Sequence, residues 1–433
     1  MVRQPCPECS VNSRYDNAMS GQRRALIIGG SLGGLFAANM LHAMGWHVEV
    51  FERVADDLAA RGAGIGTHDE LFAVMRRLGI TVDASIGVEV RERVCLDHAG
   101  NTVLAVPLSQ MMTAWARIYR PLKDLLPDRQ YHFGMNLERI EQDARGVTAI
   151  FSDGTAAHGD LLAAADGIRS TVRAQVLPAA QPRYAGYIAW RGVVDEGEIS
   201  PPTHAAIFGR YAFGLPAGEM MLVYPVPGRD NDVRPGHRSS NFVWYRPADF
   251  NVKLPSLATD AAGHCHGVSI PPPLIRPAVV AEMRAQAQAL LAPQIVEIVE
   301  RAPQPFFQAI FDLESPQLAI GRVALLGDAA CVARPHVGMG VTKAALDAQC
   351  LAQAIAAMPG DLAAALARYD RDRRLFGARV VARARRLGAY IEAQLKPAAL
   401  RTPEECDQRP EMVLREIGAK LANISELAAP ADA

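Results

Sequence analysis

The run Gly29-Gly30-Ser31-Leu32-Gly33-Gly34 stands between a short apolar segment, Arg24–Ile28, and a helical one, Leu35–Met44. It approximates the GxGxxG pattern, with Ser31 in the place of the second glycine. Gly29 lets the chain turn tightly off a strand, and Gly34 lets helix and strand pack closely. The middle position admits a pyrophosphate to the backbone at the helix N-terminus, where free N–H groups and the helix dipole favour an anion. Serine is small enough to stand there, and its hydroxyl can donate to phosphate. Glu52 ends the next apolar run, His47–Phe51, near the ~20-residue spacing at which an acidic side chain takes ribose hydroxyls. The pattern predicts a bound dinucleotide and does not by itself choose between FAD and NAD.

The elements around the turn predict a βαβ unit and a parallel, doubly wound sheet. Asp69–Leu78 reads as a helix, Val88–Val106 as a hairpin, and Leu137–Thr155 as two strands. Leu161–Ala165 reads as a buried strand running into Asp166-Gly167, and Arg322–Leu326 as another running into Gly327-Asp328. From about Tyr184 to Tyr245 the chain is β-rich, aromatic and broken by Gly and Pro, which predicts an inserted antiparallel sheet. Val279–Arg301 reads as helical with a break at Pro293, and two long helices follow, Gly340–Met358 and Leu362–Leu395. The expected fold is thus α/β. An unpatterned leader covers 1–20, a nucleotide-binding domain 21–183, an inserted substrate domain 184–312, the return of the first domain with long helices 313–396, and a loosely packed tail 397–433.

The 433 residues carry 45 Lys plus Arg against 46 Asp plus Glu, so no global field draws the chain to nucleic acid or an anionic membrane. No apolar run reaches the ~18 residues of a membrane span. Seven cysteines, an odd number, suit reduced thiols and a cytoplasmic location better than a disulfide framework. Cys6 and Cys9 form a CxxC pair without a second one, so no metal site is expected.

The stretches LLAAADGIRSTVR (Leu161–Arg173) and LLGDAACVARPHVGMGVTKAALDA (Leu325–Ala348) complete a set of three motifs with the glycine turn. In that order they resemble the single-Rossmann FAD-dependent aromatic monooxygenases, the para-hydroxybenzoate hydroxylase-like family. The likeness runs from about Arg24 to Leu395. YIAWRGVV (Tyr187–Val194), FVWY (Phe242–Tyr245) and Arg334-Pro335-His336 are similar to its hydroxypyridine-oxidising branch.

The resemblance implies FAD as cofactor and NADH or NADPH as co-substrate. It implies that the glycine turn and Ser31 hold the pyrophosphate, Glu52 the ribose, and Arg53 and Leu137 the adenine end. Asp166 would support flavin and nicotinamide binding, with Arg169 and Arg173 near the nicotinamide phosphates. Asp328 would take the ribityl chain. Gly338, Met339, Gly340, Val341 and Thr342 would turn helix N–H groups to the flavin ring. The sheet residues Trp190, Arg191, Phe213, Tyr224, Trp244 and Tyr245 would roof a small aromatic substrate. His336 and Tyr224 are the acid–base or hydrogen-bonding candidates beside the ring. The chemistry implied is ring hydroxylation with O2 through a flavin hydroperoxide, which needs no side-chain nucleophile, and the partner implied is a second copy in a homodimer. A larger natural product as substrate, or flavin binding without turnover, are alternatives that substrate-stimulated NAD(P)H oxidation distinguishes. The chain departs from the family pattern at Trp115, where relatives place an Arg, at Thr342 for Asn and at Cys331 for His.

Overall fold

The computed structural model describes residues 21–58 and 64–418. The expected leader lies outside them, as do Cys6, Cys9 and the last residues of the tail. Arg24–Ile28, buried throughout, is an inner strand of a six-stranded sheet. The order is Ala319–Ile320, Val323–Leu325, Leu161–Ala164, Arg24–Ile28, His47–Phe51 and Tyr131–His132. All neighbours are parallel except the first pair. The apolar runs that marked these strands are continuous because both faces are covered. Helix Leu32–Ala43 packs on one face against helix Gly340–Ala357, and the three-stranded sheet of Leu137–Gln142, Val147–Phe151 and Ala156–Gly159 lies against the Arg24–Ile28 strand.

The second sheet has nine strands, and four of its central ones are the predicted aromatic segments: Arg183–Asp195, Ser239–Pro247, Met220–Val226 and Tyr211–Gly214. Phe306–Glu314 and Cys331–Val332 extend it on one side. On the other it takes in the hairpin Val88–Leu96 with Thr102–Ala114, then Gly64–Gly66. By sequence that hairpin falls within the nucleotide-binding domain expected over 21–183. A strand pairs with whatever edge its apolar face can share, and Tyr211–Gly214 offers Val88–Leu96 a parallel edge. The boundary at residue 183 therefore divides the chain but not the sheets.

Two-residue alternation gives this sheet two different faces. Ile188, Trp190, Phe242 and Trp244 bury against helices Pro277–Leu290 and Pro293–Arg301. Tyr187, Ala189, Val243 and Tyr245 face the other way. There they meet helix Leu362–Leu387, which starts on the Asp361 cap. Ala365, Leu366 and Tyr369 of that helix belong to the core of the parallel sheet, and Phe376, Val380, Ala384 and Leu387 to that of the nine-stranded sheet. One helix thus fixes the two sheets to each other and shapes the cleft between them.

The tail is a correction to the sequence reading. Val413, Leu414 and Ile417 are buried in the same core as Tyr245 and Phe376. Val413, Leu414 and Ile417 fall at helical spacing, but what that face packs against is decided by the tertiary fold.

Candidate active site

A cavity of about 350 Å³ opens at the carboxyl ends of the central parallel strands. That is where ligands of open α/β sheets bind. Gly29, Ser31, Glu52, Arg53, Leu137 and Asp166 line it. Gly29 has φ of 101°, and a Cβ there would lie 2.4 Å from the Ala165 carbonyl oxygen. A Cβ on Gly34 would lie 1.9 Å from the Gly29 carbonyl oxygen, so helix and turn touch through backbone alone. Gly30 is as tightly placed, 2.0 Å from the Tyr131 hydroxyl for the same added atom. Leu32 and Gly33 stand behind the turn, the first in the core and the second facing Ala344. Ser31 is the N-cap of helix Leu32–Ala43, yet its hydroxyl makes no capping bond and is left for a ligand.

The Glu52 carboxylate accepts the Gly30 N–H at 2.8 Å and the Val54 N–H at 2.9 Å. Each oxygen keeps a lone pair for a hydroxyl donor. Asp166 accepts the Val172 N–H at 3.2 Å through one oxygen, while the other has no partner among the described residues. Burial raises its carboxyl pKa, opposed by the bond from Ser170. Arg169 is exposed on the rim. Arg173 corrects the sequence reading: it is buried and donates to the Ala180 and Ala329 carbonyls, both at 3.1 Å. It ties the Asp166 loop to the Asp328 loop and is not free to meet a phosphate.

Trp115 is shared by this cavity and a second, also of about 350 Å³. Its ring stacks on Tyr119 with centroids 4.5 Å apart. The second cavity lies between the two sheets. On one side stand Asp328, Gly338, Met339, Gly340 and Val341. On the other stand Arg191, Tyr211, Tyr224, Tyr245 and Gln308. Asp328 is open to the cleft, and enclosure by protein raises its carboxyl pKa against the pull of Lys343. The turn that carries it is pinned from beneath. Lys343 Nζ donates to the Gly327 carbonyl at 2.6 Å, and Asp347 accepts the Gly327 N–H at 3.0 Å. Gly338 has φ of 65° and leads into helix Gly340–Ala357, whose first N–H groups lack partners within the helix.

On the sheet side, Arg191 Nε is buried and has no hydrogen-bond partner among the described residues. Burial raises the pKa of Tyr211, Tyr224 and Tyr245, so all three are phenols at neutral pH. Tyr224 donates to the Gly64 carbonyl at 3.1 Å.

Of the residues expected around the flavin ring and substrate, five do not line either cavity. Trp190 and Trp244 occupy the alternate positions of their strands and point into the helical side. Phe213 is on the right face but fully buried under Tyr211. Thr342 turns inward to His68, 3.0 Å from its Nδ1. His336 is 1% exposed, with Nε2 2.7 Å from the Tyr187 hydroxyl. Burial, helped by the Arg334 charge, drives its pKa down to about 3, so it is neutral and far from the range of a working acid–base group.

Sequence reasoning missed Tyr211, Gln308, Gly64–Gly66 and the tail residues Ile417 and Gly418, all on the second cavity. Tyr211 and Gln308 carry a readable signal, since they alternate with core residues on their strands. Ile417 follows Val413 by one helical turn, but nothing local places it or Gly418 beside the cavity.

The donors and gaps suit FAD. The glycine cradle leaves backbone where a Cβ would intrude, the Ser31 hydroxyl is uncommitted, and an Asp166 oxygen waits for a donor. A second compartment continues past Trp115 to a helix N-terminus. The chain belongs to the FAD binding domain family, which it matches over residues 22–245 and 312–384, and residues 184–312 match the FAD binding domain-like family. It is an FAD-dependent monooxygenase of the aromatic-hydroxylase class. Among relatives, it is 34% identical over 331 residues to 2,6-dihydroxypyridine 3-monooxygenase of Paenarthrobacter nicotinovorans, 76% of this chain and 82% of that one. The solved structure of 2,6-dihydroxypyridine-3-hydroxylase from Arthrobacter nicotinovorans superposes with a TM-score of 0.80 at 30% identity, covering 86% of this chain and 93% of that one. Klebsiella pneumoniae HpxO complexed with FAD and uric acid gives a TM-score of 0.70 at 26% identity, covering 87% and 90%. Among the described residues no helix is long and apolar enough to cross a membrane.

Proposed function

We propose that this chain hydroxylates a small hydroxylated aromatic or N-heteroaromatic ring of hydroxypyridine type, with NADH or NADPH and O2. The second cavity carries the reading. The Arg191 guanidinium, whose Nε has no hydrogen-bond partner among the described residues, and three phenols face a helix start and Asp328 across about 350 Å³, and the flavin edge must share that space. The 2,6-dihydroxypyridine enzymes named above support the single-ring N-heteroaromatic class.

FAD, when bound, supplies the redox chemistry and the oxygen transfer. Ser31, Glu52, Arg53, Leu137 and Asp166 would hold its adenosine and pyrophosphate half. Asp328 would hold the ribityl chain, and the N–H groups of Gly340, Val341 and Thr342 would favour negative charge at the ring. Arg191 stabilises an ionised ring hydroxyl and so raises electron density at the carbon to be attacked. The Tyr224 and Tyr245 phenols orient the ring, with Tyr224 held by Gly64. Leu222, Val243 and Met339 keep the walls apolar, which excludes water from the oxygen-transfer step. His336 is better read as a support for the Pro335–Val337 turn than as a proton carrier.

The test is NADH and NADPH oxidation by the purified yellow holoenzyme, with and without 2,6-dihydroxypyridine, 6-hydroxynicotinate and simple phenols. Stimulated oxidation with a product one oxygen atom heavier by mass spectrometry is expected. Bound FAD with no stimulation by any single-ring compound would overturn the substrate class.

A further inference from the structure

Arg93 lies on the Val88–Leu96 strand and is 0% exposed. A buried guanidinium is ordinarily matched by a carboxylate. Here no carboxylate pairs with it among the described residues, and its bonds go almost entirely to one distant segment. Nη1 donates to the carbonyls of Leu414 at 3.0 Å and Ile417 at 2.5 Å. Nη2 donates to the Gly418 carbonyl at 3.2 Å and to Gln110 Oε1 at 2.6 Å. Gln110 in turn donates to the Gly418 carbonyl at 2.7 Å. The Gly418 N–H donates to the His336 carbonyl at 2.7 Å, and a Cβ on Gly338 would come within 3.0 Å of the Gly418 Cα. The Leu414 carbonyl is one of those left open in the last turn of helix Pro410–Glu416, where a cation is favoured, and those of Ile417 and Gly418 follow the helix end. The guanidinium also lies over the Tyr211 ring, 4.9 Å from its centroid.

Ile417 and Gly418 line the second cavity beside Tyr211 and Gly338. A segment with no strand partner has become a cavity wall, and its anchor is a rigid fork of donors. We propose that Arg93 is a positioning residue. It clasps the carbonyls of Leu414, Ile417 and Gly418 so that residues 410–418 close the substrate cavity, and Ile417 sets the ring size admitted. The second cavity as substrate site rests on the function proposed above. A lysine cannot reproduce the clasp, because its single ammonium lacks the planar fork that reaches several carbonyls at once.

The experiment compares wild-type, Arg93→Met, Arg93→Lys and Ile417→Ala holoenzymes. The first readout is the rate of tryptic cleavage after Arg415 without substrate, followed by mass spectrometry. It should rise about tenfold or more in Arg93→Met and less in Arg93→Lys, as expected for loss of hydrogen bonds from a charged donor. FAD retention should stay unchanged. With substrate, both Arg93 variants should raise KM more than they lower kcat and reduce product formed per NAD(P)H oxidised. Ile417→Ala should shift preference toward a bulkier ring. Wild-type cleavage rate, KM and coupling in a folded Arg93→Met enzyme would overturn the clasp. If that variant fails to fold, unchanged cleavage and KM in Arg93→Lys together with unchanged ring preference in Ile417→Ala would do so. If the wild type turns over no ring compound, the function reading fails while the cleavage comparison still decides the clasp.

Discussion

The first cavity takes its walls from the ends of neighbouring parallel strands, and its polar contacts come largely from backbone and two carboxylates. The second takes its walls from Gly64, the nine-stranded sheet, the Asp328 turn, the start of the Gly340–Ala357 helix and the tail near Gly418. Its polar groups are mainly side chains, one guanidinium and several phenols. A backbone cradle accepts a fixed ligand and tolerates no added atoms. A side-chain cage is set by packing over long sequence distances, and single substitutions retune it. Cofactor binding should therefore fail sharply and substrate binding gradually.

The largest effect expected is for Gly34→Ala. Its Cβ would meet the Gly29 carbonyl at 1.9 Å. Such overpacking against backbone should cost about 3 kcal/mol or more. Thermal unfolding and flavin retention would both report it, and a normal yellow protein would break the contrast. Arg191→Met comes next. Loss of a charged hydrogen bond to substrate should raise KM by roughly 10- to 100-fold while flavin affinity holds. A fall in flavin affinity instead would place Arg191 in the wrong half. Glu52→Gln should weaken FAD binding by about tenfold, measured by fluorescence titration, with the substrate preference unchanged.

A smaller effect concerns pH. The His336 pKa is lowered to about 3 in the fold, against an ordinary ~6.5 when unfolded. Between those values the unfolded chain binds the extra proton. Stability is thus full above about pH 6.5 and is lost as pH falls toward 3. Denaturant unfolding at several pH values should show His336→Gln with a flatter acid limb, and an unchanged limb would refute the assignment. The smallest effect on catalysis is expected for Trp190→Phe, which should cost about 1 kcal/mol of stability and leave KM alone. A KM change there would mean that the helical face of the sheet also reports on the substrate.

The two halves differ as much in how they could be read. Gly29, Glu52, Asp166 and Asp328 follow apolar strands directly, so short-range spacing placed each beside a cleft. Among the sheet aromatics, residue type could not distinguish Trp190 from Arg191 or Trp244 from Tyr245. Neighbours in a strand point to opposite faces, and which face meets the cleft depends on where the helices pack. His336 looked catalytic from its place after Arg334-Pro335. Its burial against Tyr187 and Tyr245 is a property of the assembled core.

Local sequence determined the βαβ unit, the glycine turn, the acids that follow the strands and the two long helices, the second ending at Leu387 before Gly388 and not at Leu395, because each depends on contacts within one element or between neighbours. The tertiary structure alone decided that the hairpin of Val88–Leu96 and Thr102–Ala114 joins the nine-stranded sheet, that Trp190 and Trp244 face its helical side, and that Arg93 bonds the carbonyls of the tail. Those outcomes depend on pairing and burial between residues as far apart as Arg93 and Gly418, and no local periodicity encodes such a contact.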